Sequence, residues 1–188
     1  MKFTGEAIII LVLSLALMAC RADNNKKEVV KMHAAAETLE VTSNAIKPEE
    51  MIPQKYTCDG ENVSPSLSWA NVPSGTKELV LICDDPDAPM GTWVHWVVYG
   101  MPPNMTSLPE NIAKTDTVSG FKQGKNSFGK VGYGGPCPPN GPAHRYFFKL
   151  YAIDKTMEIK PEATKDEIMK AIAGHVLAQG ELMGRYGR

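Results

Sequence analysis

The chain lacks an excess of charge, a repeat, and a large share of aromatic residues. Its 20 Lys and Arg stand against 21 Asp and Glu, a formal net charge of -1, so the basic footprint of a nucleic-acid-binding surface is missing. Aromatic residues make up 7% of the chain, while 14 prolines and 16 glycines punctuate it. That balance argues against a helical bundle and for short strands joined by many turns. There is no Gly-x-Ser-x-Gly elbow, which excludes the serine hydrolases built on that turn. Only one apolar run is long, residues 7–19, and it falls short of the about 20 residues that a helical membrane span needs. At 43% hydrophobic and 22% charged, the composition is otherwise that of an ordinary globular protein.

The apolar run instead fits a secretory leader, with Lys2 as a small positive n-region. It ends in Leu17-Met18-Ala19-Cys20, which resembles a bacterial lipobox, although Met18 is a less usual occupant of its position. On this reading residues 1–19 are a lipoprotein signal peptide. Cys20 becomes a multiply acylated N-terminus carrying diacylglycerol and a palmitate-type chain, held on a membrane by roughly 0.8 kcal/mol per buried CH₂. Residues 20–37 read as the lipidated cysteine and a flexible tether, Asn-, Lys- and Ala-rich, with a reach of roughly 20–25 Å as a random coil. The expected location is the bacterial cell envelope. Arg21 follows the lipid cysteine, which favours the outer membrane where there are two. The domain then runs over residues 38–188.

Within it, Leu79-Val80-Leu81-Ile82 is an apolar run that ends in Cys83-Asp84-Asp85-Pro86-Asp87-Ala88-Pro89, and Trp93-Val94-His95-Trp96-Val97-Val98 follows. Carboxylates at the end of one strand facing a histidine on the next are costly unless they pair or bind something, so the pair reads as one wall of a polar pocket. Strict alternation puts Trp93, His95, Val97 and Tyr99 on one face of the second strand, and Leu81, Cys83 and Asp85 on one face of the first. The long loop over residues 104–130 reads as a lid or a poorly ordered excursion. A Pro- and Gly-rich loop, residues 133–142, then leads to a strand in which His144, Tyr146, Phe148 and Leu150 share a face opposite Arg145. That strand supplies a second wall, and the glycine N–H groups beside it could form an anion nest.

Leu39-Glu40-Val41-Thr42 alternates like an edge strand. The one good helix opens at a Thr164/Glu167 capping box with Ile168, Ala171, Ile172 and Val176 as its apolar stripe, and is expected to stop before Gly180. Glu181 to Tyr186 then returns as a short strand or tail, and His175 beside the stripe reads as a packing residue. Of the cysteines left once Cys20 is lipidated, Cys83 reads as a small core residue. Cys58 and Cys137 both lie in loops and could form a disulfide.

The segments Tyr56-Thr57-Cys58-Asp59-Gly60, Ser64-Pro65, Asp85-Pro86-Asp87-Ala88-Pro89, Trp93-Val94-His95-Trp96, Gly132-Tyr133-Gly134-Gly135-Pro136-Cys137-Pro138-Pro139, His144-Arg145-Tyr146 and Gly184-Arg185-Tyr186-Gly187-Arg188 together resemble the phosphatidylethanolamine-binding protein family. The likeness is greatest to its bacterial Raf-kinase-inhibitor-like branch and spans about residues 39–188. The resemblance implies a mainly β protein: an antiparallel β-fold with a large central sheet, a smaller sheet and a few peripheral helices. It also implies a small pocket for anions such as a phospholipid headgroup phosphate, formed by Asp85, Asp87, Pro89, His95, His144 and Tyr146 with N–H groups of Gly134 and Gly135.

The expected activity is therefore binding of a phosphate-bearing small molecule or headgroup without catalysis, cofactor or nucleic acid. Asp85 should hold both imidazoles protonated, since a close opposite charge raises a histidine pKa. Two alternatives stand beside this reading. One is a protease or kinase inhibitor acting through protein contact. The other is a metal-dependent hydrolase in which Asp85, His95 and His144 form a two-His-one-carboxylate set.

Overall fold

The computed structural model describes residues 37–188 except Ser119. The leader, Cys20 and all but the last residue of the tether lie outside the described residues. What is described is mainly β. The strands are β1 (Glu37–Thr38), β2 (Glu40–Thr42), β3 (Leu67–Ala70), β4 (Glu78–Asp85), β5 (Trp93–Met101), β6 (Ser107–Leu108), β7 (Thr117–Val118), β8 (Phe121–Gln123), β9 (His144–Ile153) and β10 (Val176–Tyr186), with one α-helix, α1 (Lys165–Ile172), before β10. A seven-stranded sheet has the order β1-β10-β9-β4-β5-β8-β7, and a three-stranded sheet has β2-β3-β6. All pairs are antiparallel except β1 with β10.

The central strands β4 and β5 are buried on both faces, which explains their near-continuous apolar sequence, while β9 alternates buried with half-buried residues. One face carries Leu79, Leu81, Cys83, Trp96, Val98, Tyr146, Phe148 and Leu150, clustered with Val41, Leu67, Trp69 and Leu108 of the small sheet. The other carries Val80, Ile82, Val97, Tyr99 and Ile153, clustered with Ile168 and Ile172 of α1. As expected, β2 is an edge strand with only its central Val41 buried.

Three expectations are corrected here. The capping box is present, with Thr164 accepting from the Glu167 N–H and the Glu167 side chain accepting from the Thr164 N–H, but the helix is only 8 residues long. Ala173 caps it and Gly174 (φ 79°) turns the chain, so Val176 opens an 11-residue strand instead of continuing the stripe. His175 is not packed: its ring pairs with Asp154 at 2.8 Å at the surface. The long loop over residues 104–130 is built rather than loose, since β6, β7 and β8 lie within it.

Candidate functional site

Antiparallel pairing brings the C-terminal end of β4 and the N-terminal ends of β5 and β9 to one end of the large sheet. A cavity of about 270 Å³ opens there, and its polar side chains are Asp85, His95, His144 and Tyr146. The rest of its wall is apolar: Ala88, Pro89, Met90, Trp93, Phe128, Pro138, Pro139 and the Cys137 side chain. Five of the expected residues therefore meet, while Asp87, Gly134 and Gly135 do not line it.

A β-bulge aims His95. Cys83 pairs with Trp96 and Asp84 with Val94, so His95 is the extra residue between them. Trp96 joins the face of Tyr146 and Phe148, and the His95 ring stands edge-on to Tyr146 with centroids 5.1 Å apart. Val97 and Tyr99 point the opposite way. Strict alternation had put His95 on the face of Val97 and Tyr99. The bulge reverses it, and without that reversal His95 could not meet Asp85.

Asp85 is 3% exposed and its oxygens are committed. Oδ1 accepts the Asp87 N–H at 2.8 Å, and Oδ2 pairs with His144 Nδ1 at 2.8 Å. Asp87 faces away from the cavity, where the Arg145 guanidinium donates to both its oxygens at 2.9 and 2.7 Å and the Arg145 backbone N–H adds a third bond. Those donors lower its pKa to about 2. Asp87 thus fastens the Asp-Pro-Asp turn to β9 rather than orienting an imidazole.

His95 departs from expectation in charge as well. Its Nδ1 donates to the Gly134 carbonyl at 2.6 Å, since a carbonyl can only accept. Burial pushes its pKa down, and that outweighs the opposing effects of the Gly134 carbonyl and the Asp85 charge. Desolvation of a nearly fully buried ring exceeds the attraction of a carboxylate already occupied by His144. His95 is therefore neutral at pH 7, with Nδ1 protonated and Nε2 an acceptor.

The glycine nest is absent. The Gly134 N–H donates to the His95 carbonyl at 2.9 Å and the Gly135 N–H to Asn62 Oδ1 at 2.7 Å, so neither is left for an anion. These glycines serve close approach instead. A Cβ on Gly135 would sit 2.4 Å from the Tyr56 carbonyl oxygen, and one on Gly134 would sit 2.7 Å from the Phe128 ring. Cys58 and Cys137 are joined as a disulfide, which ties the Tyr56–Asn62 loop to this wall. Cys83 is a free, buried thiol.

Tyr146 carries the clearest sign of an unfilled role. The residue is fully buried, and among the described residues its hydroxyl has no hydrogen-bond partner. Burial first, then the Asp85 charge and the approach of the hydroxyl to that carboxylate without a well-formed hydrogen bond, raise its pKa, so it is a neutral donor at any physiological pH. A buried hydroxyl left unpaired costs about 1–3 kcal/mol.

The metal-hydrolase alternative is not supported. Among the described residues no group of three His, Cys, Asp or Glu side chains is arranged to hold an ion. Asp85, His95 and His144 are brought near one cavity, but the carboxylate that would complete the set is spent on the Asp87 N–H and the His144 ring. Sequence reasoning did not assign Trp93, Met90 and Phe128 to the site. Phe128 stands edge-on to both Trp93 (5.4 Å) and His95 (5.5 Å), and the unusual length of its loop was the only signal that pointed to it.

Solved proteins of similar sequence share the fold of this two-sheet β-domain. The chain belongs to the phosphatidylethanolamine-binding protein family, which matches residues 42–187. A UPF0098 protein of Methanothermobacter thermautotrophicus is 48% identical over 151 residues, covering 80% of this chain and 99% of its own. The crystal structure of a putative phosphatidylethanolamine-binding protein homolog from Chlamydia trachomatis has a TM-score of 0.73 at 39% identity, covering 81% of this chain and 99% of its own. That of Escherichia coli YbcL, described as a new member of the mammalian family, has a TM-score of 0.75 at 34% identity, covering 80% and 98%.

Proposed function

We propose that the cavity at the end of β4, β5 and β9 binds a phosphate-bearing ligand of the phospholipid-headgroup type and does no chemistry on it. The observation that carries this reading is the buried, unpartnered hydroxyl of Tyr146, beside two imidazoles that use Nδ1 on the protein and leave Nε2 for a ligand. Three such positions on one small cavity suit an acceptor-rich group held by convergent polar contacts. The apolar wall of Pro89, Trp93, Phe128 and Pro139 suits the carbon portion of such a ligand. The Cys137 sulfur is held in a disulfide and both Asp85 oxygens are occupied, so neither is available as a nucleophile.

Among the described residues no Lys or Arg lines this cavity, so the positive charge those residues offer an anion is that of the imidazoles. His95 Nε2 donates only once protonated, and its pKa is depressed. Binding of phosphate therefore takes up a proton, and affinity strengthens as pH falls through and below about 6.5. Calorimetric titration with phosphoethanolamine tests the reading. Tyr146→Phe is expected to weaken binding about tenfold while leaving stability unchanged or slightly raised. Equal affinity in the variant, or an isotherm that does not change between pH 5 and 8.5, would overturn it.

In the same reading Cys20, if acylated, keeps the domain within tether reach of headgroups on the periplasmic face of a bacterial membrane. Cys20→Ala should move the protein from the membrane fraction to the soluble one. Retention of the variant in the membrane fraction would rule out that anchor.

A further inference from the structure

A second cavity, of about 560 Å³, lies on the other side of Phe128 and the Gly134–Gly135 backbone. The two cavities share the Phe128 ring, and the Cys58–Cys137 disulfide contributes one half to each. Their charges are opposite in kind. Among the described residues, the first is lined by a carboxylate and no Lys or Arg, while the second is lined by Lys114 and Lys130 and no Asp or Glu.

The acceptors and the phenol of the second cavity are already used. Asn126 Nδ2 donates to the Gly132 carbonyl, and its Oδ1 accepts from the Phe128 and Lys130 N–H groups. The Tyr133 hydroxyl donates to the Tyr56 carbonyl at 2.8 Å. Asn62 Oδ1 accepts from Gly135, and the Asn62 carbonyl accepts from Lys114 Nζ at 2.8 Å. What is left for a ligand is N–H: two on the Lys114 ammonium and three on that of Lys130, with side-chain amide N–H of Asn62 and Asn126 beside them. Neither lysine forms an ion pair among the described residues. The Asn62 bond fixes Lys114 at the cavity, where partial desolvation of its ammonium and then the like charge of Lys130 push its pKa down, although the residue as a whole is exposed. An anion between the two would relieve both costs.

We infer that this second cavity is an anion site, with Lys114 and Lys130 clamping a compact dianion of the phosphate class, separate from the site of His95, His144 and Tyr146. Such a group could belong to a free phosphate or to a phosphomonoester lipid headgroup, and the two sources share this chemistry. The inference does not rest on the reading of the first cavity.

Calorimetry and amide chemical shifts during titration with inorganic phosphate at pH 7 test it. Wild-type protein is expected to show a binding step reported by the amides of Val131 and Gly132. In Lys114→Gln/Lys130→Gln that step should weaken by at least about tenfold, the scale of losing charge-assisted contacts, with the melting temperature unchanged because both side chains are exposed. Lys114→Arg/Lys130→Arg should keep it within a few-fold. Tyr146→Phe should leave it intact, which separates failure here from failure of the first site. Co-flotation with phosphatidate vesicles that is lost in the Gln variant identifies a lipid source, whereas binding of phosphate alone identifies a free one. Unaltered Val131 and Gly132 shifts in the wild type, or equal phosphate affinity in the Gln variant, would overturn the inference.

Discussion

Asp84 and Asp85 are chain neighbours at the end of β4, and the strand turns them to opposite faces of the sheet. Both are buried. Asp84 lies on the helix side, where Lys149 reaches it from β9 at 2.8 Å and Lys165 closes on it from the first turn of α1 at 2.5 Å. Asp85 lies on the cavity side, and its one cationic partner is His144, a group that is charged only when protonated. One carboxylate is neutralised permanently by two ammoniums from separate elements. The other is matched to an imidazole. Burial alone therefore does not mark a functional acid. What distinguishes the two is whether the partner is a fixed charge and whether a cavity adjoins it.

The largest effect expected on this contrast is that of Asp84→Ala. It leaves two ammoniums close together with no counter-charge and should cost about 3 kcal/mol of stability in urea unfolding, with phosphoethanolamine affinity unchanged. Asp85→Asn should do the reverse. It keeps the shape and an acceptor, so the stability loss stays at about 1 kcal/mol. It takes the carboxylate from His144, and affinity should fall about tenfold in calorimetry. Equal stability losses in the two variants would erase the distinction.

A smaller effect comes from pH. His95 has a folded pKa below its unfolded value of about 6.5, because burial disfavours its charged form. Below pH 6.5 the unfolded chain takes up a proton that the folded one resists, so stability falls as pH drops through that range, and His95→Gln should flatten the slope. Ligand affinity should move in the opposite direction over the same range. The smallest change is at Asp87, whose folded pKa of about 2 lies below the ordinary 3.8. The Arg145 pair contributes stability above pH 4 that is lost as pH falls toward 2, and Asp87→Asn should remove only that acid-limb difference. At neutral pH it should cost no more than about 1 kcal/mol, because the pair is partly solvated.

Much of this was legible in the sequence because apolar runs and capping chemistry act locally. Leu79–Ile82, Trp93–Val98 and Tyr146–Ile153 announce the three central strands, and Thr164 with Glu167 announces the helix start. The mainly β, two-sheet architecture and the family follow from the Asp-Pro-Asp-Ala-Pro and His-Arg-Tyr segments. The misplaced face of His95 has a physical origin in period-2 reasoning, which assumes an unbroken ladder. The bulge at His95 shifts that ring by one face, and residue spacing carries no mark of it. Gly134 and Gly135 were read as anion donors because glycine permits nests, but it also permits the close backbone approach that occurs here. Which use prevails is decided by Tyr56, Asn62 and Phe128, residues distant in sequence. His95 was expected to be charged for a related reason: proximity to a carboxylate is easier to infer from sequence than the depth of burial that overrides it.

The bond between Cys58 and Cys137 closes 79 residues of sequence separation into a covalent ring that contains β3 through β8. A protease that nicks the exposed backbone around Phe128 cuts inside that ring. The cleaved protein would keep its mass on a non-reducing gel and come apart only when the disulfide is reduced. Damage to the rim of either cavity thus need not shed a fragment, and a nicked molecule keeps both pieces at hand to repack.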